Sequence, residues 1–195
     1  MKTIFITIAF MFTSLAFTLG QSPQNESRTE FSLEIDPATF VFSGYGVHFR
    51  VKPKNSDHLL LGIGAYAMDF PDLLVDLNAN NKGKGWDVRL GQGWGIFGEY
   101  HFSEVHRKWF VGTQIGVQKY RIKNTSLVGE ENYTNSLVMG YAGYTWPIFG
   151  DRLYLKPWAG IGYTAKIAGS NTLEQIEYAI APLTMFATLH LGYRF

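Results

Sequence analysis

The chain contains no cysteine among its 195 residues. Disulfide bonds and thiolate metal sites are therefore excluded, although an exported protein could have used them. Beyond residue 20 there is also no uninterrupted apolar run of about 18 residues, which is the length that a helix needs to cross a bilayer. Folding must accordingly rest on backbone pairing and side-chain packing alone.

The chain has almost no excess of either charge. It carries 17 Lys and Arg against 16 Asp and Glu, and removing Lys2 with the first 20 residues leaves 16 against 16. A chain with this balance does not attract polyanions, so we expect no nucleic-acid partner. Glycine and aromatic residues are plentiful, with 21 Gly, 15 Phe, 11 Tyr and 5 Trp. This composition suits a β-barrel, where Gly permits tight curvature and aromatic side chains form girdles.

The first 20 residues hold the one long apolar run of the sequence. Lys2 is followed by apolar residues from Ile4 to Phe17, and the small residue Gly20 precedes a predicted cut before Gln21. This layout is typical of a secretory signal. A membrane anchor helix is the alternative, but the run is short for a span and no basic cluster follows it. We predict a signal peptide at 1–20, a short periplasmic segment at 21–27 and one domain at 28–195.

Alternating apolar and polar residues predict eight strands in this domain, at about 28–36, 39–53, 58–69, 86–102, 108–123, 133–148, 151–167 and 180–195. Short connections at 54–57, 103–107 and 149–150 alternate with longer ones at 70–85, 124–132 and 168–179. The connection near 36–38 is an exception, because it is predicted to be short on the side of the long loops. The fold class predicted is all-β, an eight-stranded antiparallel up-and-down transmembrane barrel.

Side-chain parity divides the strands into two faces. The apolar face, predicted to meet lipid, comprises Phe31, Leu33, Ile35, Val41, Tyr45, Val47, Phe49, Leu59, Leu61, Ile63, Ala65, Val88, Leu90, Trp94, Ile96, Tyr100, Phe102, Trp109, Val111, Ile115, Val117, Leu153, Leu155, Ile161 and Tyr163. The polar face comprises Glu30, Ser32, Glu34, His48, Arg50, Asp87, Arg89, Glu99, His101, Gln114, Gln118, Tyr120, Lys156, Trp158, Lys166, His190 and Arg194. The strand at 133–148 fits either orientation.

A soluble, lipocalin-like barrel would invert these faces, and alternation alone does not distinguish the two orientations. Charges of both signs on the polar face would crowd a space too narrow for bulk solvent, which favours the membrane barrel. Nine of these residues are predicted to form a polar network in the lumen: Glu30, His48, Arg50, Arg89, Glu99, His101, Lys156, His190 and Arg194. We interpret them as a salt-bridged, hydrogen-bonded plug. The alternative is a proton-coupled or acid-base site at His48, Glu99 and His101, which would need a cavity that eight strands rarely provide.

The last thirteen residues are a two-faced strand that ends on an aromatic residue with no tail. Apolar or small side chains alternate with polar ones from Leu183 onwards, and Tyr193 and Phe195 close the chain. With the signal and the alternation, this end resembles the small eight-stranded outer-membrane barrels of the OmpX and OmpA-transmembrane type, in a Bacteroidetes-like branch of Gram-negative bacteria. In such barrels the terminal aromatic pair is the signal read by the barrel assembly machinery.

The resemblance implies a location and a set of partners. We expect a monomer in the cell outer membrane that contacts outer-membrane lipid, lipopolysaccharide and the assembly machinery. Barrels of this shape include porin-like proteins, adhesins, structural anchors and lipid-A-modifying enzymes, so the shared fold implies location without implying activity.

The segment 76–87 has the spacing of a calcium-binding loop. Asp76, Asn78 and Asn80 stand at the first, third and fifth positions and Asp87 at the twelfth, while Asn81 is suited to the left-handed conformation of the sixth. Two nearby lysines and the lack of a bidentate Glu count against a metal, so we expect a polar, glycine-rich outer loop, with the calcium site as the alternative. The apolar patch at 70–77 just before it is interpreted as an amphipathic turn over the barrel mouth or as a partner surface.

Catalytic motifs are absent from the sequence. It has no Gly-x-Ser-x-Gly elbow, no zinc-ligand spacing and no His-x-Ser-Asn arrangement of the kind found in barrel lipid-A deacylases. We therefore expect a filled barrel with a structural or surface-recognition role, without enzymatic activity and without a cofactor. A lipid-A- or phospholipid-modifying outer-membrane enzyme and a soluble ligand-binding barrel remain the alternatives.

Overall fold

The computed structural model describes residues 28–195, so the predicted signal peptide and the segment 21–27 lie outside the described residues. The strands are β1 (Glu30–Ile35), β2 (Tyr45–Lys52), β3 (Leu59–Asp69), β4 (Trp86–His101), β5 (Lys108–Asn124), β6 (Glu131–Phe149), β7 (Leu153–Gly169), β8 (Thr172–Leu173), β9 (Ile176–Glu177) and β10 (Leu183–Arg194). The helices are α1 (Pro37–Val41), α2 (Asp72–Val75) and a 3-10 turn (Ala79–Asn81). No helix within residues 28–195 is long and apolar enough to cross a membrane.

Eight of these strands form a closed antiparallel barrel in the order β1-β10-β7-β6-β5-β4-β3-β2, and β8 and β9 form a separate hairpin. This confirms the predicted eight-stranded antiparallel barrel. The closure pairs the first strand with the last, with Leu33 opposite Tyr193. Both ends of the barrel domain therefore lie at one rim.

The pairing register fixes the shape of the barrel. Following paired residues around the wall from Leu33 leads to Leu183 on β10, whereas Leu33 itself pairs with Tyr193. The offset between Leu183 and Tyr193 is ten residues, which is the shear of the barrel. With strands ~4.8 Å apart and a rise of ~3.3 Å per residue, this shear tilts the strands by roughly 40°. The interior of such a barrel holds side chains and little else.

The prediction of a strand over 39–53 with a short connection before it is wrong, because residues 37–41 form helix α1. The Asp36 side chain caps the helix by accepting a hydrogen bond from the Ala38 N–H, and Pro37 stands at the first helical position, where its fixed φ is favourable. Val41 is accordingly an exposed helix residue and not a strand residue. Strand β2 begins only at Tyr45.

The prediction that Val88 and Leu90 face outward is also wrong. The register between β3 and β4, and again between β4 and β5, shifts near Gly91. One extra residue at such a bulge moves all side chains beyond it to the other face. Val88 and Leu90 are therefore buried, whereas Trp94 and Ile96 after the bulge are exposed as expected.

The barrel changes polarity along its axis. On β5 the outward side chains from Trp109 to Val117 are mainly apolar, and those from Lys119 onward are charged. The inward side of the same strand changes in the opposite sense, from Gln114 and Gln118 to buried apolar residues beyond them. We call the outward apolar side chains around the barrel, at the level of Trp109 to Val117, the apolar belt. Its members range from 39% to 69% exposed and include Val47, Ile63, Trp94, Ile96, Val111, Ile115, Val117, Val138, Ile161, Tyr163 and Met185.

The rim opposite the two ends of the barrel domain is closed by a cap of loops and strand ends. Buried apolar residues of this cap come from β3, α2, β4, β5, β6 and the β8–β9 hairpin: Met68, Val75, Trp86, Val88, Leu90, Tyr120, Ile122, Tyr133, Leu173 and Tyr178. Asn81 joins two loops, because its Nδ2 donates to the carbonyl oxygens of Val75 (3.1 Å) and Ala179 (2.9 Å). The segment 70–77 thus folds over the barrel mouth, with Leu73 left exposed.

Candidate functional site

Four charged side chains meet in the lumen, where each is at most 1% exposed. Lys156 Nζ lies 2.9 Å from Glu34 Oε1 and 2.7 Å from Glu99 Oε2. Arg50 Nε lies 3.0 Å from Glu34 Oε2, and its NH1 lies 3.6 Å from Glu99 Oε1. Two carboxylates therefore alternate with two cations, and the group as a whole is neutral.

Neutral side chains add hydrogen bonds to the two carboxylates. The hydroxyl of Tyr154 donates to Glu34 Oε1 (2.9 Å), and the hydroxyl of Tyr141 donates to Glu99 Oε1 (3.0 Å). His190 Nδ1 lies 3.0 Å from Glu34 Oε2. We call these seven residues the lumen network. Strands β1, β2, β4, β6, β7 and β10 each contribute at least one member, so the network ties most of the barrel wall together.

The protonation of His190 follows from its two contacts. The indole Nε1–H of Trp158 donates to His190 Nε2 over 3.1 Å, so this nitrogen must be the acceptor. The proton is then on Nδ1 and is donated to Glu34. His190 is thus a neutral ring held at both nitrogens, stacked on His48 with ring centroids 4.6 Å apart.

The remaining predicted residues lie around this centre. His48 and His101 are buried, and His101 Nε2 lies 3.3 Å from Glu99 Oε2. Glu30 lies at the rim where β1 begins and β10 ends, and it pairs there with Lys52 (2.9 Å) and Arg194 (3.2 Å). These outer pairs are partly exposed and lie between the lumen network and the solvent at that rim.

The prediction that Arg89 belongs to the lumen network is wrong. The same bulge that turns Val88 inward turns Arg89 outward, above the apolar belt. There it pairs with Asp69 and donates to the carbonyl oxygen of Ser43. Eight of the nine predicted residues lie in the lumen or at the rim where β1 begins, and Arg89 is part of the outer surface.

Three members of the lumen network were missed as functional residues: Glu34, Tyr141 and Tyr154. Glu34 shares parity with Glu30, and Tyr154 shares it with Lys156, so alternation was a sufficient signal for both. Glycines are a second signal, because large lumen residues stand opposite them. A β-carbon at Gly62 would collide with Arg50, and one at Gly192 would collide with Tyr154.

Two of the four candidate calcium residues, Asn78 and Asn80, are engaged in local structure. Asn78 Oδ1 accepts from the Asn80 N–H (3.1 Å), and Asp87 lies on the exposed side of β4. The left-handed conformation predicted for Asn81 is wrong, because this residue lies in the 3-10 turn. Among residues 28–195, no group of three or more His, Cys, Asp or Glu side chains is placed to hold a metal ion.

His106 lies outside the strands, in the turn between β4 and β5, with a φ of 65°. Its ring is buried against Tyr154, with centroids 4.5 Å apart. Burial, together with the positive charge of Lys156, lowers the pKa of His106 to about 3. An unfolded chain would bind a proton at this residue near pH 6.5.

We expect the barrel to lose stability as the pH falls from 6.5 towards 3, because the unfolded state takes up a proton that folded His106 refuses. The slope from one such group is at most about 1.4 kcal/mol per pH unit. The His106→Asn variant, whose side chain suits a positive φ, should show a flatter dependence over this range. Urea unfolding of both proteins in lipid vesicles at several pH values measures the difference. Parallel curves would show that His106 is not the group responsible.

An inner cavity of about 70 Å³ lies between the lumen network and the cap. Polar side chains at its lower side include His48, His190 and Gln114, and its apolar wall includes Met68 and Phe186. Gln114 Nε2 donates to the Tyr66 hydroxyl (2.7 Å) across this space. The cavity is too small for a continuous aqueous channel through the barrel.

No protein-family model matches the chain, and no curated protein matches it. Among solved structures it is similar to the N-terminal β-barrel domain of Pseudomonas aeruginosa OprF, with 14% identity and a TM-score of 0.43, covering 88% of this chain and 100% of that one. At these values the comparison assigns neither family nor activity, and the Bacteroidetes-like branch stays a prediction.

The fold and the site together define a class of molecule. It is a closed eight-stranded antiparallel barrel with an apolar outer belt, a charged and filled lumen, and a cap over one rim.

Proposed function

We propose that the protein is an outer-membrane β-barrel whose filled lumen makes it a structural anchor, and whose capped rim presents a rigid surface outside the cell. The observation that carries this proposal is the inverted polarity of the barrel. Ion pairs that are at most 1% exposed lie inside, whereas isoleucines such as Ile96 (69% exposed) lie outside. In water this arrangement would be costly, whereas in a bilayer the outward face meets hydrocarbon.

The dimensions of the apolar belt support a membrane location. On β5 the belt covers nine residues, 109–117, and a transmembrane strand needs about 9–11 residues. Aromatic side chains stand at both margins, with Trp94 and Tyr163 on the capped side and Phe102 and Trp109 on the other. Such girdles are typical of the two interfaces of a membrane barrel.

The surface just above the belt is suited to lipopolysaccharide. Arg89 and Arg121 stand directly opposite each other across β4 and β5, and with Lys119 they line an open depression of about 260 Å³. Like charges opposite each other are unfavourable unless anions neutralise them. The carboxylates of Asp69 and Glu130 do so in part, and lipid phosphates at this height would add to them.

A channel function is disfavoured by the network that crosses the lumen. We expect the protein, reconstituted in planar bilayers, to show no sustained ion conductance, because Lys156 and Arg50 join carboxylates across the lumen. Heat-modifiable gel migration and extraction only by detergent should accompany this result. A regular conductance step would contradict the filled lumen, and release by osmotic shock would favour the soluble barrel.

Deleting Phe195 should reduce the outer-membrane yield and leave misassembled chain in the periplasm. The Phe195 N–H donates to the Phe31 carbonyl oxygen over 2.9 Å, so the residue also contributes to barrel closure. The last strand must be recognised and paired with the first to remove an open edge. Phe149→Ala is the control, since Phe149 is an exposed aromatic that lies outside the terminal strand. Equal yields of the two variants, measured in isolated outer membranes, would count against the assembly signal.

An enzymatic role is less well supported. His190 has the carboxylate partner of a general base, but its Nε2 already accepts a hydrogen bond from Trp158. Among residues 28–195, no Ser, Thr or Cys side chain forms a hydrogen bond with this nitrogen. We therefore propose binding and anchoring without catalysis. A changed lipid-A mass spectrum on overexpression would instead indicate the lipid-modifying enzyme.

A further inference from the structure

The wall of the barrel is interrupted beside its last strand. Strand β1 pairs with β10 only over Leu191–Arg194. Above this stretch β10 continues to Leu183 and pairs with β7 alone. Helix α1 stands where β1 would otherwise continue. We call the gap between α1 and residues 183–190 of β10 the seam. It occupies the two thirds of β10 nearer the cap.

The backbone of β10 leaves hydrogen-bonding groups directed into the seam. At the two ends of the β7–β10 pairing, the Pro182 carbonyl oxygen accepts from Thr164 N and Arg194 N donates to Arg152 O, so even-numbered residues direct their backbone groups towards β7. Odd-numbered residues must direct theirs to the other side, as Phe195 N does towards Phe31 O. Within residues 28–195, no backbone partner is present for Leu183, Met185, Ala187 and Leu189 on the seam side.

Helix α1 touches the seam without closing it. The Thr188 hydroxyl donates to Asp36 Oδ1 over 2.7 Å, and this hydrogen bond holds the start of α1 against β10. Farther along, Phe40 and Val41 are 52% and 80% exposed on the outer surface. A groove of about 630 Å³ remains between α1, α2 and β10, with Ala38, Phe42 and Leu74 on one side and Met185 and Ala187 on the other. This volume is typical of a site for a small molecule.

The groove leads from the apolar belt to the interior. Ile161 and Met185, which line it, belong to the belt. Thr39, Met68, Leu74 and Phe186 line both the groove and the inner cavity, so these four side chains form the partition between the two spaces. The ring of Phe186 lies 5.8 Å from that of Trp158, which faces the inner cavity.

We propose that the groove binds an acyl chain of a lipid of the surrounding bilayer, with the end of the chain directed at Phe186 and the lumen. This inference rests on the outer-membrane location proposed above. The groove is apolar and continuous with the belt, so hydrocarbon is the chemistry that meets it, and an unfilled gap would forfeit packing contacts. The unpaired backbone groups of β10 can bind the ester, amide or hydroxyl groups by which lipids carry their chains.

Fluorescence quenching by brominated phosphatidylcholine tests this proposal. Two variants keep a single native tryptophan, Trp158 in the first and Trp94 in the second, and have the other four replaced by Phe. In a third protein all five are replaced and Phe110→Trp is added on the lumen side. Phe110 is fully buried and lines neither space. We expect brominated chains to quench the fluorescence of Trp158 well beyond that of the tryptophan introduced by Phe110→Trp. The fluorescence of Trp94 should also be quenched, because Trp94 belongs to the apolar belt.

Blocking the groove provides the second measurement. Ala38→Phe in the Trp158 protein adds bulk where α1 faces β10, and it should lower the quenching to the level of the Phe110→Trp protein. Val117→Phe adds bulk to the belt away from the groove and should leave the quenching unchanged. Quenching of Trp94 without extra quenching of Trp158 would overturn the acyl-chain site, because it would show that lipid is excluded from the seam. Failure to quench Trp94 would instead overturn the membrane location itself.

Discussion

Lys156→Met is expected to destabilise the barrel by about 3–5 kcal/mol, because the substitution leaves two buried carboxylates with one buried cation. Lys156 Nζ contacts both Glu34 and Glu99 within 2.9 Å, and no solvent reaches them. The length and apolar character of Met keep the packing against Phe110, over which Nζ lies at 4.9 Å. The loss is therefore electrostatic. Urea unfolding in lipid vesicles measures it.

The control is an ion pair of similar length on the surface. Arg107 NH2 lies 2.8 Å from Asp151 Oδ1, but both side chains are about half exposed. Arg107→Gln should cost less than about 1 kcal/mol, since water screens this pair. Adding Glu99→Gln to Lys156→Met restores one carboxylate against one cation and should recover part of the lost stability. Equal effects of Lys156→Met and Arg107→Gln would show that burial does not govern the energy of the lumen network.

Ile63→Arg is expected to cost about 2–4 kcal/mol in a bilayer, the value for a cation near the midplane on the lipid face of a barrel. Ile63 is 60% exposed and stands in the middle of the outward residues of β3. In a soluble barrel an exposed isoleucine could be replaced by Arg at little cost. Unfolding in vesicles of phosphatidylcholine measures the difference from the wild type.

Val128→Arg is the matched change outside the belt. Val128 is 86% exposed in the loop between β5 and β6, and it is apolar and β-branched like Ile63. We expect this variant to be as stable as the wild type, because its Arg stays in water. If both variants were equally stable, the apolar belt would not face lipid and the soluble barrel would be favoured.

Alternation in the sequence determined the strands and most of their orientation. Each barrel strand has a buried face, and a period of two residues then sorts side chains without knowledge of the partner strands. Glu99, His101, Lys156 and His190 were assigned to the lumen in this way. The ambiguous strand, β6, required the structure, because Leu137 and Met139 inside and Val138 and Ala142 outside are all apolar or small.

Local irregularities were decided by tertiary structure. The bulge at Gly91 adds one residue relative to the neighbouring strands, and only the pairing of β4 with β3 and β5 shows it. That single residue moved Arg89 from the predicted lumen to the outer surface. The capped start of α1 at Asp36 and Pro37 was a local signal that alternation concealed. Apolar and polar residues alternate both before it, at 31–35, and after it, at 45–51.

The sequence by itself determined an eight-stranded barrel with one polar and one apolar face, because strand periodicity and turn residues are properties of neighbouring residues. Only the tertiary structure decided which charges meet, since Glu34 and Lys156 are 122 positions apart and are brought together by the closure of β1 on β10. The seam has the same origin. Its open edge depends on where β1 ends relative to β10, and the register between the first and last strands of a barrel is set by packing around the whole barrel.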